Sequence, residues 1–167
     1  LKPKNQTVVK ILVDGHNIDP ENLDALKNCL VSNCSEIDFT AMTPAELVKT
    51  MIADSAEVLP YLSDISVSIA NELRIGNIKE AMNKYLELVD GLEWLAAALD
   101  NLPLAFQASL QESEKEFQRQ QALTRTKEHL ETIKNTQESQ DWVGLADILE
   151  YEFPELFQAC QKLFSEL

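Results

Sequence analysis

The chain has 167 residues, 45% of them hydrophobic, which are the length and composition of one ordinary globular domain with a core. Its 28 acidic residues outnumber 14 basic ones and give a formal net charge of -14 at pH 7. Because such a field repels phosphate groups, the composition argues against binding to a nucleic acid or to an anionic membrane.

Residues 1–42 predict a small strand-helix-strand unit. Thr7–Val13 is β-branched and apolar and stops at the turn cluster Asp14–Asn17, so it predicts a strand. A helix is expected over about 20–33, with proline at its first position. Alternation over residues 37–41 predicts a second strand. This region has no apolar run long enough for a signal peptide or a membrane span, which favours a cytoplasmic protein.

Residues 43–102 predict a helical hairpin. Thr43–Glu46 has the sequence of a capping box with proline at the first helical position. Gly76 is expected to end this helix, and Asn77 with Glu80 to cap the next one. The second helix carries an apolar seam with alternating steps of four and three, as in a coiled coil. The seam consists of Ile78, Met82, Tyr85, Val89, Leu92, Ala96 and Leu99.

Two residues within the hairpin predict local features. Pro60 removes a backbone donor, so a kink is expected near Glu57, and the helix is expected to continue because the apolar phase resumes. Gly91 costs about 1 kcal/mol relative to alanine in mid-helix. It is therefore expected to mark the close approach of a neighbouring helix.

Residues 103–138 predict a long, partly exposed helix with a narrow apolar stripe. From residue 105 to residue 138 such a helix would extend about 50 Å, against about 39 Å for the helix over 77–102. Part of it is expected to project, and its stripe favours a partner, most simply a second copy in a homodimer. The alternative is that the C-terminal helices over 142–167 fold back and cover the same stripe.

A second apolar seam crosses residues 142–167 and passes through Pro154, which predicts two short in-phase helices or one bent helix after a cap at Asp141. With the hairpin, it indicates a mainly α fold, a bundle of four to five helices over residues 43–167. Trp94 lies off the main stripe of its helix and is the best single candidate for an interface. The other candidate interface residues form the stripe: Phe117, Leu123, Leu130 and Ile133.

The sequence has no signature of catalysis, nucleotide binding or a bound cofactor. His16 lies in a turn without nucleophile partners, which is typical of a surface histidine. Acids that a cation could use cluster near the C-terminus, but consecutive helical residues point in different directions, so a solvated acidic face is favoured. These acids are Asp147, Glu150, Glu152 and Glu155. The cysteine spacing matches neither a metal site nor a redox pair, so Cys29, Cys34 and Cys160 are expected to be buried thiols.

Three stretches carry a resemblance to a known family: Thr43–Leu47, Leu88–Leu95 and Leu145–Pro154. They resemble a family of small, acidic, uncharacterised helical domains from Firmicutes-type bacteria. The resemblance covers nearly the whole chain, implies a bacterial cytoplasmic protein and carries no established activity. A looser similarity in shape links the chain to helical flagellar export chaperones.

These observations favour a non-catalytic helical module for protein interaction or self-association, without a cofactor. Its expected partner is another protein or a second copy, and not a nucleic acid or a membrane. The alternative is a metal-binding protein or an enzyme that uses the acidic C-terminal helices.

Overall fold

The computed structural model describes residues 6–18, 35–111 and 113–167. The chain divides into two compact units, one ending at Leu47 and the other beginning at Val48. Three strands precede a series of helices, so the mainly α prediction is confirmed. None of the described helices is long and apolar enough to cross a membrane.

The N-terminal unit contains a three-stranded antiparallel sheet of order β2-β1-β3. Its strands are β1 (Thr7–Val13), β2 (His16–Ile18) and β3 (Ile37–Met42). Both predicted strands are confirmed. The helix predicted over 20–33 falls outside the described residues.

The turn after β1 is shorter than the sequence suggests, and His16 lies in a strand. Asp14 and Gly15 have φ of 49° and 81°, as a two-residue hairpin turn requires, so pairing resumes at His16 opposite Val13. The Asp14 carboxylate accepts hydrogen bonds from the backbone amides of Ser35 and Glu36, at 2.8 and 2.9 Å. This side chain therefore connects the hairpin to the segment that leads into β3.

The predicted helical hairpin is confirmed as α1 (Pro44–Arg74) and α2 (Ile78–Asn101). The capping box is formed, because the Thr43 amide donates to Glu46 at 2.8 Å and the Glu46 amide donates to the Thr43 hydroxyl at 3.3 Å. The helix continues through Pro60, as predicted. Gly76, with φ of 79°, makes the turn between the helices.

The predicted cap of α2 is wrong in one detail. Asn77 accepts no capping hydrogen bond. Its side-chain Nδ2 instead donates to the Glu72 carboxylate at 2.8 Å. Glu72 is in the last part of α1, so the Asn77 side chain is held at the end of α1, and its Oδ1 accepts from no backbone amide of α2.

Gly91 marks the expected close approach. A Cβ atom added to it would lie 2.8 Å from Leu62 Cδ1 and 3.1 Å from Leu62 Cγ. Leu62 is buried, on α1. The glycine therefore makes room for a leucine of the facing helix.

The single helix predicted over 103–138 is wrong. The chain instead forms α3 (Pro103–Phe106), a 3₁₀ turn (Ser109–Gln111) and α4 (Ser113–Glu138). Leu102 and Leu110 are both buried in the core. Because the helix is interrupted between them, the chain can reverse its direction and still bury both side chains. The 26 residues of α4 span about 39 Å, close to the span of the 24-residue α2, so the length argument for a projecting helix no longer holds.

The C-terminal segment consists of α5 (Trp142–Asp147), a π-helical turn (Ile148–Glu152) and α6 (Phe153–Ser165). Asp141 caps α5 by accepting from the Gly144 amide at 3.0 Å, as predicted. Pro154 lies at the start of α6, where its missing N–H is tolerated. The wider π turn before it carries the helical path past the proline.

The core of the helical unit lies where the two seams meet. The α2 seam residues Leu92 and Leu99 and the C-terminal residues Leu149, Phe153 and Leu156 have no exposed surface. Helix α4 packs against α2, α5 and α6. The two predicted seams therefore meet in a common core, with α4 packed against both.

Arg119 of α4 completes the C-terminal end of α2. Its Nη1 donates to the Leu99 carbonyl at 2.9 Å, while the Glu116 carboxylate accepts from its Nε and Nη2 at 2.8 and 2.6 Å. The last turn of α2 contains no basic residue. Arg119 supplies the positive charge that a helix C-terminus favours.

Candidate functional site on helices α4 and α6

Two of the acids that the sequence clusters near the C-terminus are neutralised by Arg74 at the end of α1. Its Nη2 donates to Asp147 Oδ1 at 3.0 Å, and its Nη1 pairs with Glu150 Oε2. The guanidinium also lies over the Tyr151 ring, 6.0 Å from the centroid. These hydrogen bonds, to Asp147 first, raise the pKa of Arg74. Asp147 and Glu150 are thus partners in a structural ion-pair cluster.

The remaining acids of that cluster do not converge. Glu152 lies beside His129, with 3.6 Å between Oε2 and Nδ1, and Glu155 lines a separate open depression on α6. Within the described residues, no three His, Cys, Asp or Glu side chains form a group that could hold a metal ion.

His129 and Cys160 are enclosed by the core of the helical unit. The His129 residue is only 7% exposed, and its ring packs on Phe153 with 5.1 Å between ring centroids. Burial lowers the pKa of His129, so the neutral imidazole is favoured. Burial also raises the pKa of Cys160 to about 12, which keeps this thiol protonated. Cys29 and Cys34 lie outside the described residues.

The candidate interface residues occupy different environments. Ile133 is a core residue, 1% exposed, whereas Trp94, Leu123 and Leu130 are half-buried against the core of their own chain. Phe117 is 64% exposed. Most of the α4 stripe is thus covered within its own chain, where α4 packs against α2, α5 and α6, and Phe117 is the member of the stripe that faces solvent.

A groove with a volume of about 220 Å³ lies between α4 and α6, next to this exposed phenylalanine. Its buried members are apolar: Ala122, Leu156 and Leu163. Its more exposed members are mostly polar or charged: Gln118, Gln121, Arg125, Ala159 and Lys162. The groove therefore offers an apolar floor between polar walls.

Two depressions adjoin the groove and extend it to both sides. One, of about 390 Å³, contains Phe117 and shares Gln121 and Arg125 with the groove. The other, of about 670 Å³, lies along α6 and shares Ala159 and Lys162 with it. We call the three together the α4–α6 groove. The two outer depressions are shallow, because one is lined by α4 alone and the other by α6 alone.

Arg125 and Lys162 are the cations of the α4–α6 groove. Neither has an ion-pair partner among the residues that the structure describes, whereas Arg119 on the same helix as Arg125 is held by Glu116 and by a carbonyl of α2. Arg125 also acts electrostatically on Cys160 and so lies near α6. Two unpaired positive charges therefore flank a partly apolar cavity on a strongly acidic chain.

The sequence prediction missed this groove, although part of the signal was present. Gln118, Gln121 and Arg125 are separated by three and four residues, and Gln158 and Lys162 by four, so each set lies on one helix face. The sequence does not show that the α4 face and the α6 face lie next to each other.

A family model described as a domain of unknown function (DUF8042) matches residues 50–163. The matched segment contains α2, α4 and α5, most of α6 and most of the residues lining the α4–α6 groove. No curated protein and no solved structure matches the chain. The expectation of an uncharacterised family is confirmed. Because the match covers more than half of the chain, the protein belongs to the DUF8042 family.

Proposed function

We propose that this chain is a non-catalytic protein-interaction module that binds a partner protein in the α4–α6 groove. The observation that carries the proposal is the cavity between α4 and α6, which has an apolar floor and lies beside an exposed phenylalanine, Phe117. An exposed aromatic ring beside a partly apolar cavity is the kind of anchor on which protein interfaces depend.

The surroundings of the chemically reactive side chains support a binding role over catalysis. His129 and Cys160 are enclosed by the core, and Asp147 and Glu150 are occupied by Arg74. These groups therefore serve the packing of the bundle. We propose a bacterial cytoplasmic setting because of the resemblance to Firmicutes-type domains.

The proposed partner is a different protein, since the reasons for expecting a homodimer have weakened. The α4 helix is shorter than predicted, and its stripe is largely covered within the chain. Sedimentation at micromolar concentration tests this directly: a mass near 18.8 kDa is expected, and a stable dimer would contradict it.

Site-specific photocrosslinking in the source cell tests the proposed function. A benzophenone amino acid at Gln121, inside the groove, should yield a defined adduct with another protein. The matched control carries the same group at Glu93, an exposed position on α2. The adduct should be absent from the control and should disappear with Phe117→Ala. Equal adducts at both positions, or none at Gln121, would refute a binding site at the groove.

A further inference from the structure

The two unpaired cations of the α4–α6 groove indicate what chemistry its partner carries. Arg125 comes from α4 and Lys162 from α6, and both line the central cavity. A guanidinium and an ammonium favour carboxylate partners, since charge-assisted hydrogen bonds are stronger than neutral ones. The net charge of -14 does not prevent this, because charges farther than about 8 Å are largely screened at physiological ionic strength.

Acidic residues in the outer depressions limit the extent of the negative ligand. Glu128 lies in the depression beside Phe117, and Glu155 lies in the one along α6. A polyanion with evenly spaced charges, such as a nucleic acid, would meet these carboxylates and be repelled. The favoured ligand has its negative charge at the centre of the groove.

The dimensions and lining of the groove fit a short peptide segment. Between Gln118 and Arg125, α4 rises by about 10 Å along the central cavity, which is the length of about three residues of extended chain. The amides of Gln118 and Gln121 supply both donors and acceptors for a peptide backbone. The apolar floor, which includes Leu156 and Leu163, accommodates an aliphatic or aromatic side chain.

We propose that the α4–α6 groove binds a short acidic peptide segment of its partner, with one or two carboxylates paired to Arg125 and Lys162 and an apolar side chain on the floor. This inference rests on the proposed function and specifies its ligand. The partner is thus a protein that presents an acidic and apolar linear motif.

Selection from a random peptide library displayed on phage, with the intact chain as bait, tests the ligand chemistry. Selected peptides should be enriched in Asp and Glu beside an apolar residue. Enrichment of neutral or basic peptides, or no enrichment, would overturn the proposal. The strongest selected peptide is then synthesised together with a version in which each Asp and Glu becomes Asn or Gln. Fluorescence anisotropy should show binding about tenfold weaker, or more, for the neutral version.

Charge variants of the chain locate the binding. Arg125→Glu with Lys162→Glu should abolish binding of the acidic peptide. The matched control, Lys79→Glu with Lys134→Glu, makes the same change in net charge at exposed positions outside the groove and should leave affinity within about twofold. Circular dichroism should confirm that both variants fold. Equal loss in both would indicate attraction without a site and would overturn the proposal.

The peptide selection and the photocrosslinking at Gln121 test the acidic ligand and the proposed function independently of each other. Neutral peptides selected in the groove, with a cellular adduct still formed at Gln121, would refute the acidic ligand and leave the proposed function intact. An acidic peptide bound in vitro, with no cellular adduct at Gln121, would refute the proposed function and leave the chemistry of the groove established.

Discussion

Gly91→Ala tests the close packing of α1 against α2. The new methyl group would lie 2.8 Å from Leu62 Cδ1, so the buried leucine must shift. Overpacking of this kind costs about 1–3 kcal/mol, while replacing a mid-helix glycine with alanine gains about 1 kcal/mol. The expected net effect is a loss of about 0–2 kcal/mol in the free energy of unfolding.

The contact itself is isolated by a double-mutant cycle with Leu62→Ala. On its own, Leu62→Ala should cost about 2–5 kcal/mol because it leaves a cavity. In that background Gly91→Ala no longer meets the leucine, so it should stabilise by about 1 kcal/mol. The coupling free energy between the two positions is therefore expected to be about 1–3 kcal/mol.

Urea unfolding followed by circular dichroism at 25 °C measures all four proteins. Ala97→Gly, at an exposed position of the same helix, calibrates the difference in helix propensity between the two residues and should cost about 1 kcal/mol. If Gly91→Ala changes stability equally with and without Leu62, the glycine does not accommodate that leucine and the packing argument is wrong.

Other properties of the helical unit give further predictions. Leu92→Ala, at a fully buried position, should cost about 2–5 kcal/mol in urea unfolding, whereas Leu86→Ala, at a 68% exposed position, should change stability by less than about 0.5 kcal/mol. Because burial lowers the pKa of His129 below 6.5, the unfolded chain binds this proton more readily than the folded one. The free energy of unfolding should therefore be retained above pH 6.5 and should decline as the pH falls below that value. This decline should be smaller in His129→Gln. Equal pH dependence in both proteins would count against a role of His129 in the decline. Because burial raises the pKa of Cys160 to about 12, iodoacetamide at about pH 8 should label it slowly in the folded protein and rapidly in denaturant, as mass spectrometry of its peptide would show.

Local sequence signals predicted the helical hairpin correctly because its ends are fixed by neighbouring residues. The capping box at Thr43 and the positive φ at Gly76 involve contacts within a few positions of the chain. Gly91 likewise indicated a nearby helix, although only the structure identifies Leu62 as the neighbour.

The errors arose where distant contacts determine the structure. No strong signal separates Pro103 from the start of α4, and the break there is explained by the burial of Leu102 and Leu110. The sequence also did not decide what covers the apolar stripe of α4, since either a second copy or the C-terminal helices could do so. The α4–α6 groove was missed for the same reason, because its two walls come from helices distant in the chain.

The contact between Arg119 and the Leu99 carbonyl has a consequence for synthesis of the protein. A ribosome completes α2 before it has made α4, so the nascent hairpin lacks both the cation for its last carbonyls and the helix that covers its seam. Until Arg119 emerges, the acidic end of α2, with Asp100, opposes its own helix dipole. The hairpin is therefore expected to be less stable before α4 is made than in the complete chain, and a released fragment that ends at Leu102 should be cleaved by proteases faster than the same segment of the complete chain.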